Sequence, residues 1–211
     1  MRSTRAEAFG LAAAAIAALV YGATLAPTVG AGDSGELILA AESLGVPHPP
    51  GYPLWLVLAR GAALIPIGAV AWRVNALSAI LSAVAVGLFY LLALRVGLRR
   101  NTAALVTAFF GASTMVWRSA VEAEVYPLAT VAFLALGLLA LRAREESPTA
   151  ARHEAWFFFV AGLAPLVHQT LVAPALILSA WLLARRPRVP RLLRAAAFAA
   201  AGFSVFFVVP I

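Results

Sequence analysis

The chain has 211 residues, 63% of them hydrophobic and only 12% charged, with a formal net charge of +7. A soluble domain of this length needs more polar surface, so the composition excludes that class and indicates an α-helical protein that crosses a membrane several times. There is no cysteine, which excludes disulfides and thiolate metal sites. The sixteen basic residues are all arginines at the ends of apolar runs, so the charge does not indicate a nucleic-acid partner.

Apolar runs, taken in chain order, predict seven transmembrane helices. The first run follows Arg2 and Arg5, and we interpret it as an uncleaved anchor rather than a secretory signal because it is long and further spans follow. The seven runs cover approximately residues 8–25, 74–94, 103–116, 126–141, 156–167, 171–183 and 192–211.

One further apolar run, residues 54–70, is predicted to lie in the membrane interface without crossing it. Pro53 and Pro66 bracket a segment that is barely long enough to span. If it does not cross, thirteen of the sixteen arginines fall on the cytoplasmic side. If it crosses, the arginine clusters of the later loops all become external. The first arrangement is preferred, and it makes residues 27–73 one external loop.

The first external loop contains an unusually dense set of polar residues, in the segment "AGDSGELILAAESLGVPHPPGYPL". Asp33 and Glu36 have the spacing of a helix N-cap and its partner, so Asp33 either caps a short helix ending at Gly45, takes part in chemistry, or does both. The segment "PHPPGYP" is typical of a rigid turn, in which His48 is either structural or reactive.

Two other segments fall on the same face in this topology. The second external loop is predicted at residues 117–127 and contains Glu122 and Glu124, of which at most one is expected to face a site because they are two residues apart. The third is a tight turn at His168, which lies between apolar runs where a polar side chain is costly without a partner.

Five segments of the sequence resemble those of a known group of enzymes. The segments "GDSGEL", "GVPHPPGYPL", "WRVNALSA", "EAEVYPL" and "GLAPLVHQT" are similar to the N-terminal module of GT-C glycosyltransferases, and most closely to a bacterial family related to a eukaryotic endoplasmic-reticulum protein O-mannosyltransferase. The resemblance covers most of residues 8–180. It implies one transmembrane module over residues 1–211, expected to be the N-terminal part of a longer protein.

The resemblance also implies roles for individual residues. Asp33, with Glu36 beside it, takes the place of the catalytic base, and Glu124 that of the acid in the second loop. His168 takes the position near the donor phosphate, although Val167 stands where many relatives have asparagine. We group these with neighbours on the same face: His48, Tyr52, Glu124 and Tyr126 on the acceptor side, and Arg73, Arg118 and His168 around the phosphate.

The implied function is transfer of a sugar, with mannose as one candidate, from a polyprenyl-phosphate donor to a protein or glycan acceptor, protein Ser/Thr hydroxyls among them. The expected location is a bacterial plasma membrane with the site on the external side. Two other classes, a transporter or flippase of lipid-linked substrates and a noncatalytic scaffold, stay open; the spans carry little of the internal charge that is typical of transporters. We assign no cofactor, and a divalent cation held by Asp33, Glu36 and His48 is a further hypothesis without a fixed ligand spacing.

Overall fold

The computed structural model describes residues 2–184 and 188–207, and every regular element in these residues is helical. Outside the described residues lie Arg185 and Arg186, which are predicted to be cytoplasmic, and the last four residues of the seventh predicted span. The helices are α1 (Arg2–Ala23), α2 (Ser34–Ser43), α3 (Pro53–Ala63), α4 (Val70–Arg95), α5 (Arg100–Ala112), α6 (Thr114–Val121), α7 (Tyr126–Ala143), α8 (Ala150–Val167), α9 (Val172–Leu183) and α10 (Val189–Ser204), with 3-10 turns at Gln169–Leu171 and Val205–Phe207.

Four helices in the described residues are long and apolar enough to cross a membrane, which confirms the membrane class but not the number of seven spans. They are α1, α4, α7 and α10 together with the 3-10 turn that follows it, and α5 with α6 adds a fifth if the bent pair is one span. Helix α9 has 12 residues, about 18 Å at ~1.5 Å per residue, against a hydrocarbon core of ~30 Å. Short helices thus replace some of the full spans that the apolar runs predict.

Helix α4 is the centre of the bundle and contacts α1, α5, α6 and α7, while α8 joins α7 to α10. Glycines allow the closest helix pairs to approach. A Cβ atom at Gly87 would lie 2.8 Å from the carbonyl oxygen of Gly10, and one at Gly162 only 2.0 Å from that of Ala199. Side chains larger than hydrogen would separate the helices at both crossings.

The predicted run at residues 103–116 is broken rather than continuous. Helices α5 and α6 meet at Ser113 with a bend of 57°, and the chain stays helical through Val121. The prediction that residues 117–127 form a loop is therefore wrong over its first half, because the helix continues beyond the apolar run. Only residues 122–125 connect α6 to α7.

The first loop folds into two short helices, α2 and α3, that pack together and against α4. Helix α2 begins after Asp33 as predicted, but it ends at Ser43 with Leu44 in the left-handed region, slightly before Gly45. Helix α3 has 11 residues, about 16 Å, which agrees with the prediction that residues 54–70 do not cross. Trp55, at its start, is fully buried and fixes the loop to the bundle.

Candidate functional site

An open cavity of about 970 Å³ lies where α4, α6 and α7 meet the first loop. Four of the predicted site residues line it: Asp33 from the first loop, Arg118 from α6, Glu124 from the connection after α6, and Tyr126 from the start of α7. Apolar side chains such as Phe110 and Met115 form much of the remaining wall. The cavity therefore combines carboxylates, a cation and an apolar surface.

Asp33 occupies the N-cap position of α2 but does not cap it with its side chain. Of the alternatives that the D-x-x-E spacing left open, side-chain capping by Asp33 is therefore wrong. Instead, Ser34 Oγ accepts a hydrogen bond of 3.1 Å from the backbone N–H of Gly30. The Asp33 carboxylate is 63% exposed, and its Oδ2 lies 4.0 Å from Nε2 of His48. A carboxylate that is not used as a cap is available to an incoming molecule.

Glu36, His48 and Tyr52 form a chain of hydrogen bonds beside Asp33. Oε1 of Glu36 accepts from the backbone N–H of His48 at 2.6 Å, and Oε2 lies 3.1 Å from Nδ1. These bonds from His48 lower the pKa of the Glu36 carboxyl below its ordinary value, so it is ionised and can only accept. Nδ1 of His48 therefore carries the proton. In the neutral imidazole Nε2 then accepts from the Tyr52 hydroxyl, which is 3.0 Å away.

Tyr52 connects this chain to the third loop. It is buried and has a φ of 47°, a left-handed conformation that is costly for a residue with a side chain. Its ring stacks on His168 with centroids 5.4 Å apart, and the His168 ring lies 5.5 Å from that of Tyr126. Burial raises the pKa of the Tyr52 hydroxyl, so the group remains a hydrogen-bond donor at neutral pH.

His168 is an uncharged member of the site. Its backbone is at the end of α8, and Nδ1 accepts a hydrogen bond of 3.2 Å from the N–H of Thr170, whose hydroxyl lies 2.8 Å away. Burial lowers the pKa of His168 below 6.5, so the ring is neutral at pH 7 and Nε2 carries its proton. Thr170 thus supplies the hydrogen-bond partner that the buried side chain of His168 requires.

The two acids of the second loop have different surroundings. Glu122 is buried and accepts two hydrogen bonds of 3.0 Å, one from Arg118 Nε and one from the backbone N–H of Ala31. Glu124 lines the cavity, where burial and the nearby Glu122 raise the pKa of its carboxyl. Glu122 therefore joins the first loop to α6, whereas Glu124 faces the open space.

Comparison with known proteins shows the family to which the chain belongs. Residues 33–191 match the family described as Protein O-mannosyl-transferase TMEM260 N-terminal domain, which is about three quarters of the chain. The chain belongs to this family. The matched segment begins at Asp33 and extends past His168, so it includes all nine predicted site residues.

Two curated relatives carry the same family name. The chain is 38% identical over 173 residues to the Mus musculus protein named "Protein O-mannosyl-transferase TMEM260", and this covers 80% of the chain but 24% of the relative. It is 32% identical over 114 residues to the Dictyostelium discoideum protein of that name, covering 52% and 14%. The chain thus spans about a quarter or less of the length of these relatives. No solved structure matches it.

In this member of the TMEM260 N-terminal family, three residues that the sequence analysis did not select hold the loops in place. Asn75, fully buried on α4, donates hydrogen bonds of 2.9 Å to the carbonyls of Ala26 and Thr28. Trp55 Nε1 donates to the carbonyl of Glu124 at 3.0 Å, and Ser78 Oγ accepts a hydrogen bond of 3.2 Å from the backbone N–H of Glu124. Polar groups inside the apolar run of α4 are the signal that would have identified Asn75 and Ser78.

Arg73 differs from the other candidates for phosphate binding. Its guanidinium donates to the backbone carbonyls of Ile65 and Ala69, within the connection between α3 and α4. It does not line the 970 Å³ cavity, whereas Arg118 does. Arg73 therefore stabilises the end of the first loop, which is the anchoring role that an interfacial arginine often has.

The residues named for a divalent cation do come together. Asp33, Glu36 and His48 each place one ligand atom within 4.8 Å of the others. Glu36 and His48 already satisfy each other by hydrogen bonds, so a cation would have to replace their mutual contact. A divalent cation at this cluster stays a prediction.

Proposed function

We propose that this chain forms the catalytic membrane module of a protein O-mannosyltransferase, which transfers mannose from a polyprenyl-phosphate donor to a Ser or Thr hydroxyl at the outer face of the membrane. The observation that carries the proposal is the cavity in which Asp33 and Glu124 lie with Arg118 beside apolar helix surfaces. The names of the curated relatives support mannose as the sugar and protein as the acceptor.

Asp33 is the proposed catalytic base. The acceptor oxygen attacks the anomeric carbon, the bond from that carbon to the phosphate oxygen breaks, and the acceptor proton passes to the Asp33 carboxylate. The polyprenyl phosphate leaves with the bonding electrons. A positioned base contributes about 10²–10⁴-fold to such a step. The exposed carboxylate of Asp33 needs no change of partner before it accepts the proton.

Arg118 is the proposed partner of the donor phosphate. Its bond to Glu122 uses Nε, which leaves both Nη groups for phosphate oxygens, and its side chain is 66% exposed. A guanidinium fork matches two phosphate oxygens and opposes the charge that grows on the leaving group. His168, being neutral, contributes a hydrogen bond through Nε2 rather than a charge. Tyr126, which contacts both His168 and the cavity, is placed on the acceptor side with His48 and Tyr52.

The Asp33→Asn variant tests this proposal. Asparagine is isosteric with aspartate but accepts no proton at neutral pH, and the native side chain makes no capping bond that the change could remove. We expect mannosyl transfer from polyprenyl-phosphate mannose to a Ser/Thr peptide to fall by at least ~10²-fold, with an unchanged melting temperature.

Glu42→Gln is the matched control, because Glu42 is an exposed acid on the same helix that does not line the cavity. It should transfer mannose at the parental rate. Transfer retained by Asp33→Asn would remove Asp33 as the base and leave Glu36 or Glu124 in that role.

A further inference from the structure

A second, mostly apolar groove of about 670 Å³ lies between α1, α4 and α5. Its walls are small or apolar side chains such as Ala12, Ile16 and Ala108. Ile16 is 63% exposed, so the groove opens sideways toward the surroundings of the helices. An open apolar groove of this size accommodates a ligand whose surface is mostly hydrocarbon.

The two ends of this groove differ in chemistry. Arg100 and Asn101, at the start of α5, line one end, and both are exposed. Trp117 closes the other end: its ring packs edge-on against Tyr21 at 5.8 Å, and Nε1 donates to Thr24 Oγ1 at 3.2 Å. A ligand in the groove therefore has its polar part at the Arg100 end and its apolar terminus below Trp117.

The length of the groove corresponds to one leaflet of a bilayer. Helix α1 lines it from Phe9 to Tyr21, a rise of about 18 Å at ~1.5 Å per residue, which is roughly half of the ~30 Å hydrocarbon core. The lining of this end carries a positive charge, through Arg100, and no carboxylate. We propose that this groove binds the acyl chain of an anionic phospholipid whose phosphate is held by Arg100 and Asn101.

The same geometry argues against the donor as the occupant. Arg118, which directly follows Trp117 in α6, lines the 970 Å³ cavity, so that cavity adjoins the closed end of the groove. A polyprenyl donor with its phosphate at Arg118 would have to pass its tail through the end that Trp117 closes, and one with its phosphate at Arg100 would hold its sugar at the end away from that cavity. The lipid site is thus separate from the proposed transfer reaction and does not depend on it.

Native mass spectrometry of the detergent-purified protein with phosphatidylglycerol tests the site. We expect one tightly retained lipid per chain. Arg100→Gln should reduce its occupancy about tenfold, since a charge-assisted bond to phosphate is lost. Ala12→Phe should do the same by filling the groove.

Each variant has a neighbour as control. Arg99→Gln removes an exposed arginine that does not line the groove, and Ala18→Phe adds a ring to the opposite face of α1. Both should keep the lipid. Equal losses with Arg99→Gln and Arg100→Gln would overturn the proposal in favour of diffuse charge attraction. One-for-one displacement of phosphatidylglycerol by polyprenyl phosphate would overturn it in favour of a donor site.

Discussion

Only Ala123 separates Glu122 from Glu124, but the two carboxylates differ in burial and in hydrogen-bond partners. Glu122 has an arginine and a backbone N–H as partners, while the carboxyl of Glu124 is desolvated and close to a second acid. Spacing and resemblance alone favour Glu124 over Glu122. The structural role of Glu122 was not predictable, because the partner N–H of Ala31 is 91 residues away in the chain.

Glu124→Gln should make the protein more stable at neutral and high pH. The pKa of the Glu124 carboxyl is raised above 4.5 in the fold, so its native environment favours the protonated form. That contribution to stability is present below pH 4.5 and is lost as the pH rises through the folded pKa. We therefore expect a higher melting temperature for Glu124→Gln than for the parent at pH 8 and equal values near pH 4. A difference that does not change with pH would show that the substitution acts through packing.

Glu122→Ala should destabilise the first loop. It leaves the N–H of Ala31 without its acceptor and removes the partner of Arg118, and we expect a loss of about 1–3 kcal/mol in the free energy of unfolding. Little of this comes from the pair with Arg118, whose side chain is largely exposed. Denaturant titration in detergent measures it, with the exposed Glu42→Ala as the control that should cost little. Equal stabilities of the two variants would contradict the structural role.

At the scale of helices, apolar runs predicted where most elements lie but not how they are interrupted. At the bend, Ser113 Oγ donates a hydrogen bond of 2.7 Å to the carbonyl of Phe110, and both α5 and α6 pack against α4. The short α2 and α3 were more predictable because Asp33, Gly45 and Pro53 are local start and stop signals.

Gly162→Ala should weaken the contact between α8 and α10. The added methyl group would meet the carbonyl oxygen of Ala199 at 2.0 Å, and backbone atoms can only respond by moving the helices apart. We expect a loss of at least about 1–3 kcal/mol by denaturant titration. Gly61→Ala is the control, because a methyl group there has no heavy atom within 4 Å and should be neutral or stabilising by roughly 0.5–1 kcal/mol. A tolerated Gly162→Ala would mean that the two helices do not cross this closely in the membrane.

For the whole molecule, arginine positions and sequence segments predict that the acids of the first two loops and His168 lie on one face of the membrane, and the structure brings the three segments together. The tight network among Glu36, His48, Tyr52 and His168 was not predictable. It depends on the left-handed conformation of Tyr52 and on ring stacking between residues more than a hundred positions apart. Hydropathy and loop charge predict neither the left-handed conformation of Tyr52 nor the stacking of its ring on His168.

The predicted topology places residues 27–73 on the opposite side of the membrane from the connection between α4 and α5. The absence of native cysteine allows single-cysteine labelling without background. Val46→Cys and Val96→Cys are suitable because these side chains are 65% and 62% exposed. An impermeant maleimide should label them from opposite sides. Labelling of both from one side would contradict the arrangement on which the seven-span prediction rests.

The stacking of Tyr52 on His168 also has a consequence for the order of events during synthesis. Ribosomes make the first loop long before α8, so Tyr52 lacks its aromatic partner until the chain has grown past residue 168 and α8 is in the membrane. A nascent chain that has only α1 to α7 already contains Asp33, Arg118 and Glu124 but cannot complete the ring stack. The aromatic part of the site is therefore completed only after α8 has been made.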